Sequence, residues 1–275
     1  MAGERGGLTR WLANAPPWVL VIFAISTSFS TYFCMYAFRK PFSAAHYEGL
    51  LLFGTQVELK TAFVISQVIG YALSKYMGIK FCSEMTRGRR LSILIGLVVV
   101  AEIALLLFAV LPSQLKIFAL FVNGLPLGMV WGLVVWYLEG RRTSELLLAG
   151  LSCSFILASG VVKDIGRWMM GEHGVSEFWM PFATGLLFLL PFVISTYLLD
   201  QLPDPDDDDQ SERTLRQPMD RAHRIGFLKR FLVPLAMLFF AYIFLTAYRD
   251  FRDNYGIEIF TELGYGEKPG IFSIS

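Results

Sequence analysis

The stretch Tyr36-Ala37-Phe38-Arg39-Lys40-Pro41-Phe42 places two adjacent cations inside the first long apolar segment of the chain. That segment begins near Trp18, and about 20 apolar residues suffice for a helix to cross a bilayer. Charge at membrane depth is energetically costly, so it marks either a solute pathway or an ion pair. The stretch therefore predicts a membrane-spanning helix that carries two cations with a specific role.

The composition of the whole chain is that of an integral membrane protein. Of its 275 residues, 55% are hydrophobic and 17% are charged, whereas about 25% of the residues of a soluble domain are charged. The apolar residues also come in blocks of about 20, which is the length of a membrane-spanning helix. We therefore predict an all-α polytopic membrane protein whose main partner is the lipid bilayer.

Apolar blocks and turn signals divide the chain into seven predicted membrane helices. In helix 4, Gly124, Gly128 and Gly132 recur every four residues, and this spacing lets two helix backbones approach closely. Helix 1 is expected to continue past Arg39 without a break. The seven helices are expected at about residues 18–47, 56–77, 91–111, 115–138, 144–170 and 178–199, and from about 227 onward.

The helices fall into two groups, separated by a charged segment. Residues 1–200 form a six-helix bundle, and residues 227–275 form the first helix of a second group and the approach to an eighth helix. Residues 201–226 are acidic at first, then basic, and poor in apolar side chains, a composition typical of a solvated linker. The short loops before helix 1 and after helices 2 and 4 are basic, which predicts that the amino terminus and the linker are cytoplasmic. The expected location is the inner membrane of a bacterial cell.

A second copy of the opening pattern lies in helix 7, as Asp250-Phe251-Arg252-Asp253-Asn254-Tyr255. In both copies an aromatic residue precedes the arginine and another follows three residues later. Arginine presents a planar fork that donates two parallel hydrogen bonds to a phosphate or carboxylate. We therefore expect Arg39 and Arg252 to face each other and bind an anion, with Arg249, one turn earlier, as the alternate partner.

Other polar residues of the predicted helices have competing interpretations. Asp164 and Arg167 are three residues apart and can form a local ion pair, or they can contact a solute together with Lys163. Arg39 and Lys40 can instead extend from the end of an ordinary helix towards water, and the charges of helix 7 can neutralise one another. The remaining candidates are Tyr32, Tyr36 and Lys40 for solute binding and Glu102 or Asp164 for proton coupling.

Enzyme activity and nucleic-acid binding are not predicted. The histidines His46, His173 and His223 fall in unrelated loops, and no nucleophile–base constellation or glycine-rich phosphate loop appears. The three cysteines have no ligand spacing, so neither a metal nor another cofactor is expected. The basic loops fit the positive-inside rule without a nucleic-acid partner.

Six helices, a charged cytoplasmic linker and a new helix series resemble the major facilitator superfamily. Tyr36-Ala-Phe-Arg39-Lys40-Pro-Phe42 resembles the helix-1 signature of its organophosphate:phosphate antiporters, which have a second arginine in helix 7. The resemblance implies phosphate binding by Arg39 and Arg252. It places Gln67, a further candidate for solute binding, nearest to a helix-2 lysine of the antiporters, and Lys75 where the superfamily's loop after helix 2 carries an acid.

The resemblance implies a secondary transporter that moves a small anionic organic solute by alternating access, for example a phosphate ester exchanged for phosphate. A protein of this kind would act as a monomer. Two alternatives stay open from the residues alone. One is a proton-coupled sugar or drug transporter of the same fold, and the other is a membrane protein that keeps the fold without transporting.

Overall fold

A computed structural model describes residues 6–83, 87–206, 209, 221–265, 268 and 270–274. Helices dominate these residues, and short 3-10 turns lie at Pro41–Ala44 and Arg87–Arg89. Half of the predicted linker, residues 207–208 and 210–220, falls outside the described residues, and its last six residues, 221–226, belong to the helix Arg221–Asn254. The helices are α1 (Gly7–Ala13), α2 (Pro17–Tyr36), α3 (Leu59–Ser83), α4 (Arg90–Val110), α5 (Lys116–Leu138), α6 (Ser144–His173), α7 (Met180–Asp200), α8 (Arg221–Asn254), α9 (Gly256–Glu262) and α10 (Ile271–Ile274).

Six of the helices in the described part of the chain are long and apolar enough to cross a membrane, namely α2 and α4 to α8. The protein is therefore an all-α polytopic membrane protein, as its composition predicts. The bounds predicted for α4 to α7 lie within three residues of those observed. Helix α3 has 25 residues but is less apolar, and it is not one of the six.

The packing of α3 against α5 is the most extensive helix contact among the described residues, and glycines make it possible. A β-carbon built on Gly124 would lie 2.4 Å from the Gln67 carbonyl oxygen, and one on Gly128 would lie 2.6 Å from that of Tyr71. Gly70 of α3 meets the Phe121 carbonyl of α5 in the same way. The packing role predicted for Gly124 and Gly128 is confirmed. Around this pair, α4 packs on α5 and α7, and α2 packs on α6 and α7.

The first membrane helix is shorter than the sequence predicts. It ends at Tyr36, and the N–H groups of Ala37, Phe38 and Arg39 donate to carbonyls three residues back, which tightens the last turn. Buried amide side chains of α3 and α5 bond to the carbonyls of Phe38 and Arg39, which would otherwise continue the helix. The prediction of a continuous helix past Arg39 is therefore wrong, and Arg39 lies in the turn beyond it.

Helix α8 contacts the bundle near its carboxyl-terminal end. Between Arg224 and Asn254, none of the most apolar 18-residue window is buried within the protein. The helix bends at Phe231, whose φ of −111° and ψ of 15° are not helical. Pro234 explains the bend, because it has no N–H group to bond to the carbonyl four residues earlier. Buried residues appear at Asn254, Gly256 and Ile257, where α8 meets α9.

Candidate functional site

Two buried lysines share one carboxylate where α8 meets the bundle. Lys40, in the turn after α2, pairs with Asp253 Oδ2, and its Nζ donates to Asn254 Oδ1 at 3.2 Å. Lys163 Nζ, from the second half of α6, lies 2.7 Å from Asp253 Oδ1 and donates to the Asp253 carbonyl at 2.8 Å. Each lysine has 3% of its surface exposed. Ser159 also donates to Asp253, and we call these five residues the Asp253 cluster.

Arg39 lies beside this cluster against an aromatic wall. Its guanidinium carbon is 3.8 Å from the centroid of the Tyr71 ring. Tyr32 and Tyr36 pack edge to face with centroids 5.7 Å apart, and both interact electrostatically with Arg39. The Arg39 Nε atom is buried and has no hydrogen-bond partner among the described residues. Arg39 thus keeps one buried hydrogen-bond donor, Nε, without a partner in the described part of the chain.

Two buried amides fix the turn that carries Arg39. Gln67 Nε2 donates to the Arg39 carbonyl at 3.0 Å and to Asn123 Oδ1 at 2.8 Å. Asn123 Nδ2 donates at 3.0 Å to both the Phe38 and the Ala101 carbonyls. Gln67, predicted to bind solute, therefore positions the backbone of Arg39 in this conformation. These bonds tie α3, α4 and α5 to the turn after α2.

Arg252 does not face Arg39, which corrects the arginine pair expected from the sequence. Its side chain is exposed, as is the ring of Phe251. Helical residues are spaced about 100° apart, so an α8 that turns Asp253 towards Lys40 and Lys163 turns Arg252 away. Arg249, the alternate, interacts electrostatically with Arg39 and Tyr36 and forms a 3.0 Å ion pair with Asp250.

A second charge pair joins the bundle to the segment after α8. Lys60, near the start of α3, is 1% exposed and pairs with Glu258 of α9. One turn before Glu258, the Tyr255 hydroxyl donates to Thr61 Oγ1 at 3.2 Å. The bundle is therefore bonded to α8 and α9 at the same end, through the Asp253 cluster and through Lys60.

The remaining site residues predicted from the sequence lie outside the Asp253 cluster. The Asp164 carboxylate accepts the Phe272 N–H at 3.3 Å and the Ser273 N–H at 2.7 Å, so it holds the start of α10. The Arg167 guanidinium lies 5.6 Å from the Phe272 ring centroid. Glu102 is buried in α4. Among the described residues, neither of its carboxylate oxygens has a hydrogen-bond partner.

The site carries an excess of positive charge. Its cations are the two lysines of the Asp253 cluster, Arg39, Arg249 and Lys60, and the carboxylates paired with them are Asp253, Asp250 and Glu258. Glu58 also acts electrostatically on Lys60, so five cations of the described residues face four carboxylates. Within the described residues, no group of three or more His, Cys, Asp or Glu side chains could hold a metal ion. The arrangement is suited to holding an anion.

Sequence reasoning missed Asn123, Tyr71 and Lys60, and it treated Asp253 only as a charge that neutralises its neighbours. A signal was available for Asn123, because it is the one amide in an otherwise apolar helix. No local pattern singles out Tyr71, which becomes part of the site only when α3 packs beside the turn at Arg39.

Comparison with known proteins gives a family and no function. No curated protein and no solved structure matches the chain. A family model matches residues 41–275, which include Lys163, Asp253 and most of the site. The chain therefore belongs to this family, the family of unknown function DUF5690.

Proposed function

We propose that this protein is a secondary transporter of a small organic anion, with a phosphate ester exchanged for phosphate as the leading case. One observation carries the proposal. Lys40, from the turn after α2, and Lys163, from α6, meet on a single carboxylate, beside an arginine whose Nε has no hydrogen-bond partner among the described residues. Buried cations are costly unless paired, so a site with more cations than carboxylates is built for a further negative charge.

The bond geometry favours a tetrahedral dianion. Two lysine ammonium groups reach opposite oxygens of the Asp253 carboxylate, Oδ1 and Oδ2. A phosphate offers the same kind of oxygen atoms and a second charge, and the Arg39 fork can bind two of them at once. In the absence of substrate, Asp253 occupies the lysines. An arriving phosphate competes with Asp253 for them.

The architecture suggests how binding would be converted into movement. The bundle of α2 to α7 corresponds to the first half of a major facilitator transporter, and α8 corresponds to the first helix of the second half. Bonds between the bundle and the α8–α9 segment are concentrated at one end, where Asp253 and Glu258 lie. An anion that replaces Asp253 would loosen this end and allow the two parts to rock. We call the end that these bonds hold together the closed end. If the linker is cytoplasmic, the closed end faces the outside of the cell.

Counterflow in liposomes tests the proposal directly. We expect purified protein to exchange labelled external phosphate for phosphate loaded inside. Arg39→Lys keeps the charge but loses the fork and the stacking on Tyr71, so exchange should fall at least tenfold, which corresponds to about 1.4 kcal/mol. Arg230→Ala, on an exposed residue near the kink of α8, is the matched arginine control and should retain exchange.

Two outcomes would contradict parts of the proposal. Absence of phosphate exchange and of hexose-phosphate or glycerol-phosphate exchange in the unmodified protein would favour a fold without transport. Loss of exchange in Arg252→Ala, to the extent seen in Arg39→Lys, would restore the arginine pair expected from the sequence. It would also argue against the site built around Asp253.

A further inference from the structure

Glu102 is a buried acid that the anion site does not use. It is 5% exposed, and both carboxylate oxygens are buried without a hydrogen-bond partner among the residues that the structure describes. It lies 12 residues beyond Arg90, about 18 Å along α4 and close to the middle of a hydrocarbon core of about 30 Å. At this depth a carboxylate without a partner is far more costly than a neutral carboxylic acid.

The contact between α4 and α7 is shaped to hold this side chain. A β-carbon built on Gly185 of α7 would lie 2.0 Å from Glu102 Oε2, so only glycine leaves room for the carboxyl group. Beside it, the hydroxyl of Thr184 donates to the Met180 carbonyl. The carboxyl group therefore packs directly on the α7 backbone.

Among the described residues, no charged group forms an ion pair with Glu102. The helices packed against α4 are α5 and α7, and their charged residues lie at the helix ends. Lys116 donates to the Phe108 and Ala109 carbonyls, and Asp200 accepts from Tyr137. The titratable residues of α5, α7 and the turn before α4 are Lys116, Tyr137, Tyr197, Asp200, Arg87 and Arg89.

A hydrogen-bonded path connects α4 at this point to the anion site. Asn123 bonds to the carbonyl of Ala101, the residue next to Glu102, and to the carbonyl of Phe38, the residue next to Arg39. Since both bonds are 3.0 Å, the Ala101 and Phe38 carbonyl oxygens are at most about 6 Å apart. Because the interior between them has a low dielectric constant, we expect a charge on Glu102 to act on an anion held by Arg39.

We propose that Glu102 is a proton-binding site linked to the anion site, so that the protein binds its anion more tightly when Glu102 carries a proton. This inference rests on the proposed anion transport. An ionised Glu102 repels the anion and a protonated one does not, so anion binding weakens as the pH rises. By reciprocal linkage, anion binding favours proton uptake by Glu102.

Infrared spectroscopy tests proton binding without transport. Alkaline-minus-neutral difference spectra of the purified protein should show loss of a carboxylic acid C=O band, and Glu102→Gln should remove that band. Glu172→Gln, on an exposed residue near the end of α6, is the matched control and should keep it. An unchanged band in Glu102→Gln would overturn the assignment. Glu102→Leu provides a second neutral variant if Glu102→Gln does not fold.

The pH dependence of phosphate counterflow tests the linkage. The titration of phosphate itself is common to all variants, so the ratio of exchange in the unmodified protein to that in Glu102→Gln isolates Glu102. We expect this ratio to fall severalfold from mildly acidic to mildly alkaline pH and to stay constant for Glu172→Gln. A constant ratio for Glu102→Gln would overturn the linkage. Absence of counterflow in the unmodified protein would instead overturn the transport proposal and with it the linkage, while the infrared result would still decide proton binding.

Discussion

At the scale of single residues, the feature that matters most is Asp253. It satisfies Lys40 and Lys163 together, although each lysine is almost completely buried. Removal of one partner from a buried ion pair leaves an unpaired charge in a medium that solvates it poorly. The carboxylate is therefore both a structural partner of the lysines and the group with which an anion would compete.

Asp253→Asn should destabilise the protein by about 3–5 kcal/mol, because it leaves two buried ammonium groups without a counter-charge. Thermal unfolding in detergent measures the effect as a lower melting temperature. Added phosphate should raise the melting temperature of Asp253→Asn by more than that of the unmodified protein, because a bound anion replaces the lost charge.

The control for this prediction is Asp250→Asn, in the same turn of α8. Asp250 pairs with Arg249, whose side chain is 58% exposed, and exposed pairs contribute about 0–1 kcal/mol. A melting temperature that falls equally in both variants would mean that the two lysines do not depend on Asp253.

At the scale of the elements, the bundle is organised by the close approach of α3 and α5. Glycines bring the two backbones together, and this approach places Gln67 and Tyr71 of α3 beside the turn that carries Arg39. The helix contact is thus part of the site, because a wider separation would move Tyr71 and Gln67 away from Arg39.

Gly124→Ala should destabilise the protein by about 1–3 kcal/mol, since the added carbon would lie 2.4 Å from the Gln67 carbonyl oxygen and 2.9 Å from the Tyr71 nitrogen. Gly96→Ala in α4 is the matched control, because nothing lies within 4 Å of its β-carbon position. That substitution should leave the protein as stable or more stable, since alanine favours the helix. Thermal unfolding of the two variants side by side makes the comparison, and equal melting temperatures would contradict the packing argument.

At the scale of the whole molecule, α6 separates two regions that we expect to lie on opposite sides of the membrane. Arg142 lies between α5 and α6, and Glu172 lies near the far end of α6. A helix of 30 residues separates these regions, about 45 Å along its axis. The positive-inside rule predicts that the basic Arg142 region is cytoplasmic, and we therefore expect the Asp253 cluster to lie towards the outer side.

Labelling of introduced cysteines in intact cells tests this orientation. In a protein with Cys34, Cys82 and Cys153 replaced by serine, a membrane-impermeant maleimide should label Glu172→Cys and not Arg142→Cys. A permeant maleimide should label both and serves as the control for exposure. The opposite pattern with the impermeant reagent would reverse the orientation and place the closed end of the site in the cytoplasm.

The sequence by itself determined the protein class and most of the helices. Apolar blocks of membrane-spanning length set the bounds of α4 to α7, and glycines at four-residue spacing marked the α5 face that packs on α3. The sequence also singles out Arg39, Lys40 and Lys163, because charge in an apolar segment stands out against its surroundings.

Only the tertiary structure decided where the first helix ends and which residue of α8 faces the lysines. The end of α2 depends on Gln67 and Asn123, which are 28 and 85 residues away from the carbonyls that they bond. The middle of helix α8, residues 232–247, consists almost entirely of apolar residues, so no amphipathic pattern indicates its rotation. Its charged residues are separated by one to four positions, and a rotation of about 100° per residue decides between Arg252 and Asp253. That choice depends on contacts with distant parts of the chain, which local sequence does not encode.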